Sequence, residues 1–110
     1  MFVYNITLNM DMKIETEVLT WIKEIFIPRV MREGLFHEFQ LCKLQFLDQD
    51  TPAYAIQFYC SNELEKNKLL HPTDSKYLNW VNEQYGLTVM PFASILDILE
   101  PAYLSFIHKN

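Results

Sequence analysis

The chain reads as an α+β protein, one four-stranded antiparallel sheet with two helices on one face. Three observations predict this. Segments 2–10 and 53–60 alternate their side chains with the period-two pattern of strands. Segments 14–33 and 61–85 space apolar residues at helical intervals instead, and the two glycines, Gly34 and Gly86, each stand where such a stripe stops. With 110 residues and 50% hydrophobic content, a single domain over 1–110 with one core is expected.

The first strand places Phe2, Tyr4, Ile6, Leu8 and Met10 on one face and Val3, Asn5, Thr7 and Asn9 on the other. A helix follows over 14–33, with Ile14, Val18, Trp21, Ile22, Ile25, Phe26 and Val30 as its apolar stripe. Pro28 lies inside it, where it removes a backbone donor and crowds the preceding turn, so a bend near Glu24–Pro28 is expected rather than a stop. Extended character resumes over 36–47, and the polar run Asp48-Gln49-Asp50-Thr51-Pro52 reads as a turn. The strand 53–60 then completes a hairpin, with Tyr54, Ile56, Phe58 and Cys60 opposite in sense to Ala53, Ala55, Gln57 and Tyr59.

Ser61 or Asn62 suits the cap of a second helix reaching Tyr85, with a kink or short break expected at His71-Pro72-Thr73-Asp74. A last strand over 89–99 carries Pro91, which costs a ladder donor and so assigns it to an edge. The extension 100–110 holds Tyr103, Leu104, Phe106 and Ile107, too apolar for a solvated tail.

The order β-α-β-β-α-β, with right-handed crossovers, gives a ferredoxin-like sheet of order 4-1-3-2 with both helices on one face. The opposite face receives Cys42, Leu44 and Phe46 or else Phe39 and Leu41 from one outer strand, and Leu96 and Ile98 or else Ile95 and Leu99 from the other. Left bare, either set makes an apolar patch larger than monomers usually show. A second copy is the simplest cover, and a homodimer through the sheet face is expected.

Several residues carry a family resemblance. Phe2-Val3-Tyr4-Asn5-Ile6-Thr7-Leu8-Asn9, Trp21-Ile22-Lys23-Glu24, Ile27-Pro28-Arg29-Val30 and Gly34-Leu35-Phe36 together resemble a family of short bacterial proteins known only as a domain of unknown function. The likeness runs from Met1 to about Leu99. It implies membership of the dimeric α/β-barrel group, which includes cofactor-free monooxygenases, small-molecule isomerases and proteins without known activity, so the resemblance speaks to fold and dimer and leaves chemistry open. The family often has histidine just before the Ile-Pro pair. Phe26 stands there in this chain, and no imidazole role carries over.

Composition excludes more than it assigns. A formal charge of -5 with scattered Lys and Arg argues against a nucleic-acid partner. No apolar run approaches the ~18 residues of a membrane span and no signal segment is evident, so a cytoplasmic protein is expected. Glycines used as helix stops leave none for a phosphate-binding loop. His37, His71 and His108 are too dispersed for a metal site, no cofactor is expected, and no Ser or Cys sits in a nucleophile context. Cys42 and Cys60 lie on neighbouring strands but lack a disulfide framework; buried free thiols are the expectation.

One constellation stands out. Asn5 and Thr7 on the first strand and Gln57 and Tyr59 on the third share the face away from the helices, with small Ala53 and Ala55 leaving room for a ligand pocket. The competing reading has the same groups bonding each other, water or the partner subunit. Trp21, Tyr77 and Trp80 read as core filling rather than as an aromatic box. Two hypotheses follow: a homodimeric structural or small-molecule-binding protein, or a cofactor-independent monooxygenase or isomerase acting on a small apolar metabolite.

Overall fold

The computed structural model describes residues 1–45, 51–70 and 75–100. Strand β1 (Phe2–Met10) lies between β3 (Ala53–Cys60) and β4 (Val89–Asp97), and β2 (Glu38–Leu44) borders β3 on its outer side. The sheet order is β2-β3-β1-β4, which is the expected 4-1-3-2 read from the other edge, and every neighbouring pair is antiparallel. Both alternating segments become strands with the bounds their periodicity gives. The edge position of β4 also suits Pro91, whose missing N–H withdraws a donor that a two-sided strand would need.

The outer strands are shorter than expected. Phe36 does not extend β2 but turns into the core, its ring parallel to Tyr4 at 5.9 Å and 5.1 Å from Phe58. The apolar gain of burying this ring outweighs one more rung of ladder. At the other edge β4 stops at Asp97, whose carboxylate pairs with Lys66 at 2.5 Å, and Leu99 beyond it is 92% exposed.

A short 3-10 turn, Met12–Ile14, leads into α1 (Glu15–Trp21), then a π-helical turn, Ile22–Phe26, then α2 (Ile27–Arg32). The helix passes through Pro28 without ending. Proline cannot donate to the carbonyl of Glu24, and its ring would strike that carbonyl. The backbone widens by one residue instead, so that the Ile27 N–H reaches the carbonyl of Ile22, five residues back.

This wide turn corrects the expected apolar stripe. Val18, Ile22, Phe26 and Val30 are fully buried, whereas Ile25 is 53% exposed. Four residues of α-helix turn through about 400°, so a strict four-residue spacing drifts off any single face. The widened turn absorbs the drift and leaves Ile25 facing water.

The second helical stretch is also divided. Asn62 Oδ1 accepts from the Leu64 N–H at 3.1 Å and opens the turn Glu63–Glu65, which runs into α3 (Lys66–Leu70). A separate helix, α4 (Lys76–Tyr85), starts on its own cap, the Ser75 hydroxyl accepting from the Leu78 N–H at 3.3 Å. Beyond the expected kink or break, the second part has an N-terminus of its own, which Ser75 supplies. Gly34 and Gly86, both at positive φ, end the helical segments as expected. The expected turn at 48–50, the break at 71–74 and the extension 101–110 lie outside the described residues.

All these helices cover one face. Val18, Ile22, Phe26, Val30, Leu69, Tyr77 and Val81 join Tyr4, Ile6, Leu8, Ile56 and Phe58 in a single core. Trp21 and Trp80 pack against it as expected of core fillers, Trp80 also lying under the Arg29 guanidinium at 3.7 Å. Cys42 and Cys60 are free thiols on opposite faces of the sheet, Cys60 buried and Cys42 only half-buried. Among the described residues, no helix is long and apolar enough to cross a membrane.

Candidate functional site

The face of the sheet away from the helices is built by strand register alone. Even-numbered residues of β1 enter the core, so its odd-numbered residues, Val3, Asn5, Thr7 and Asn9, point to this open face. Asn5 stands opposite Gln57, Val3 opposite Tyr59, and Thr7 opposite Ala55. The four candidate residues Asn5, Thr7, Gln57 and Tyr59 therefore lie together on adjacent central strands, each half-buried.

The edge strands complete the pattern. Gln40 pairs with Gln57, and Ser94 with Asn5, so a polar row Gln40–Gln57–Asn5–Ser94 crosses all four strands at one level. More apolar rows flank it. On one side are Glu38, Tyr59, Val3 and Leu96; on the other are Cys42, Ala55, Thr7 and Phe92, followed by Leu44, Ala53, Asn9 and Met90. Of the alternatives open in sequence, Cys42 and Leu44 face this side, as does Leu96. Phe39, Leu41 and Ile95 belong to the helix side.

Side-chain bonds order the centre of the row. The Asn5 amide donates to the Thr7 hydroxyl at 3.1 Å and to the Ser94 hydroxyl at 3.4 Å. The Gln40 amide donates to the Cys42 sulfur at 3.2 Å. Along β4, Met90, Phe92 and Leu96 are 47%, 57% and 46% exposed, so the apolar border of the face is wet in a single chain. An open groove of about 420 Å³ lined by Asn9, Asp11, Thr51, Leu87 and Met90 meets the face at its Asn9–Met90 end.

Two polar clusters lie elsewhere. On the helix side, Tyr54 donates to Glu15 Oε2 at 2.6 Å, and Lys43 reaches the same oxygen at 3.1 Å. Burial first, and then the Glu15 carboxylate, push the Tyr54 phenol up to about 12, while the Tyr54 bond, followed by Lys43, holds Glu15 below the usual carboxylate range. A second cavity of about 340 Å³ lies between Leu35, Glu65, Lys68, Leu69, Ser75 and Tyr77. Both are surface or inter-helix features, remote from the open face. His37 is exposed in the approach to β2, its backbone N–H bonded to the Tyr59 carbonyl at 3.1 Å, and His71 and His108 lie outside the described residues. Among the described residues no three His, Cys, Asp or Glu side chains converge as metal ligands.

Gln40, Phe92 and Ser94 are members of this face that sequence reasoning missed. The signal was present in the odd-even pattern of β4, but it acquires meaning only once the pairing of Ser94 with Asn5 is known.

Comparison with known proteins agrees with this architecture. The family model described as a domain of unknown function, DUF4286, matches residues 1–99. No curated protein matches the chain. Among solved structures, an ethyl tert-butyl ether d (ethd) family protein from Bacillus halodurans C-125 is similar with a TM-score of 0.60 and 9% identity, over 90% of this chain and 100% of that one. A dimeric ferredoxin-like protein from an uncultured marine organism is similar with a TM-score of 0.60 and 9% identity, over 92% of this chain and 97% of that one. At such identity the likeness concerns the fold.

Proposed function

The chain belongs to the DUF4286 family, a domain of unknown function, and on that footing we propose that it works as a homodimer whose open sheet faces pair to enclose a small-molecule-binding chamber. The observation that carries this reading is the open face itself. Its border residues Met90, Phe92 and Leu96 are about half exposed, while its centre holds a hydrogen-bonded polar row. A solvated antiparallel face would alternate polar residues outward; this one presents aromatic and aliphatic side chains next to small alanines.

A second copy suits the face because a two-fold axis through it sets each apolar border against its equivalent, an isologous contact. Small Ala53 and Ala55 leave space between the paired sheets, and Asn5, Thr7, Gln57 and Tyr59 would line that space. The dimeric description of one solved neighbour of the same fold supports the assembly. We favour a binding or structural role, in which Asn5, Thr7, Gln57 and Tyr59 would hold a small molecule by hydrogen bonds between the paired sheets. We further propose a cytoplasmic location, where cysteines such as the unbonded Cys42 and Cys60 are kept as thiols.

Light scattering across a dilution series tests the assembly. The expected mass is twice the 13.1 kDa of one chain, and a persistent mass of 13.1 kDa would overturn it.

A further inference from the structure

We infer that the polar row Gln40–Gln57–Asn5–Ser94 selects an uncharged ligand carrying both a hydrogen-bond donor and an acceptor, of the carboxamide type, on a small apolar body. The inference rests on the dimeric chamber proposed above and specifies what the chamber takes.

The centre of the row is already oriented. Asn5 spends both amide hydrogens inside the face, one on Thr7 and one on Ser94. With the nitrogen of the amide so engaged, the carbonyl oxygen is what Asn5 has left to offer a ligand, and an amide oxygen only accepts. The Thr7 and Ser94 hydroxyls accept from Asn5 and keep their own hydrogens to donate. An acceptor between two donors is the complement of a group with a donor beside an acceptor, and Gln57, directly across from Asn5, supplies one of each.

Charge is absent where the ligand would sit. Among the described residues registered on this face, Glu38 is the only one with a formal charge, and it stands at the outer corner on edge strand β2. Among the described residues registered on this face no Lys, Arg or His stands to meet an anion, and apart from Glu38 at the corner no carboxylate stands to meet a cation. A charged ligand enclosed here would lose its hydration without a partner, whereas a neutral amide would exchange water for matched bonds. Phe92 and Ala55 on one side and Tyr59 on the other offer surface to the apolar body.

Three probes of the same ring and size separate the cases: benzamide, benzoate and benzylammonium, titrated into the full chain while the side-chain amide signals of Asn5 and Gln57 are followed by NMR. Benzamide is expected to move both signals and to bind at least about tenfold tighter than either ion, the factor set by one unmatched buried polar group. Gln57→Leu and Ser94→Ala should each weaken benzamide while the light-scattering mass stays that of a dimer. A dimer that ignores benzamide, or takes benzoate equally well, overturns the inference and leaves the assembly standing. A monomer overturns both.

Discussion

Tyr54 on β3 donates its hydroxyl hydrogen to Glu15 at the start of α1 across 2.6 Å, tying the sheet to the first helix close to an exposed edge. The bond has a definite pH signature. Glu15 is held below its ordinary value of 4.5 by Tyr54 first and Lys43 second, so its contribution is complete above pH 4.5 and fades as pH falls through the depressed value. Tyr54 is raised to about 12, so its contribution is complete below pH 10 and fades as pH climbs toward 12. Tyr54→Phe should lower the thermal midpoint at pH 7 and should cost progressively less in acid. Melting curves from pH 3 to 8 check this, and a pH-independent difference would contradict it.

Ser75 carries two bonds at once. It caps α4 and shares a buried 3.1 Å hydrogen bond with the Tyr4 hydroxyl. Ser75→Ala removes a cap worth about 1 kcal/mol and strands a buried hydroxyl at about 1–3 kcal/mol, roughly 2–4 kcal/mol together. In the Tyr4→Phe background the stranded hydroxyl is gone, so Ser75→Ala should then cost only the cap. Urea unfolding of the two single variants and the double variant measures the coupling.

The β1–β3 core of this fold was legible residue by residue. Both strands alternate without interruption, and a two-residue period leaves no choice of face once one side is seen to be greasier. Asn5, Thr7, Gln57 and Tyr59 were found together for the same reason. Other features depend on geometry that no local pattern carries. Pro28 announced a disturbance, but not that the helix would add a residue and turn Ile25 outward. An interruption near His71–Asp74 was legible, but that the Ser75 hydroxyl caps the helix after it depends on the residue at which that helix starts. Ser94, Phe92 and Gln40 joined the site through edge-strand register, which the loops set.

Gly34 sits at φ +79° with nothing within 4 Å of the place a Cβ would occupy. Its cost of substitution is therefore purely conformational. Gly34→Ala should destabilise by about 1–2 kcal/mol, and Gly34→Asn by less, because Asn tolerates the left-handed region better. Chemical denaturation of both variants tests the order, and equal stabilities would refute the conformational account.

Phe92 is 57% exposed on the open face, opposite Thr7. In a single chain Phe92→Glu would be a surface change of within about 0.5 kcal/mol. If the face is an interface, the two-fold axis brings buried like charges into the contact, and the variant should run as a folded monomer. Light scattering and far-ultraviolet circular dichroism on the same sample separate loss of assembly from loss of fold.

Which surface meets its copy is read most directly from mixed dimers of differently isotope-labelled chains, by isotope-filtered nuclear Overhauser spectroscopy. Contacts between chains should reach the methyl groups of Val3, Leu96 and Met90 and the ring of Phe92. Inter-chain contacts confined to helix-side groups such as Ile25 and Leu64, or none at all, would contradict the pairing of open faces.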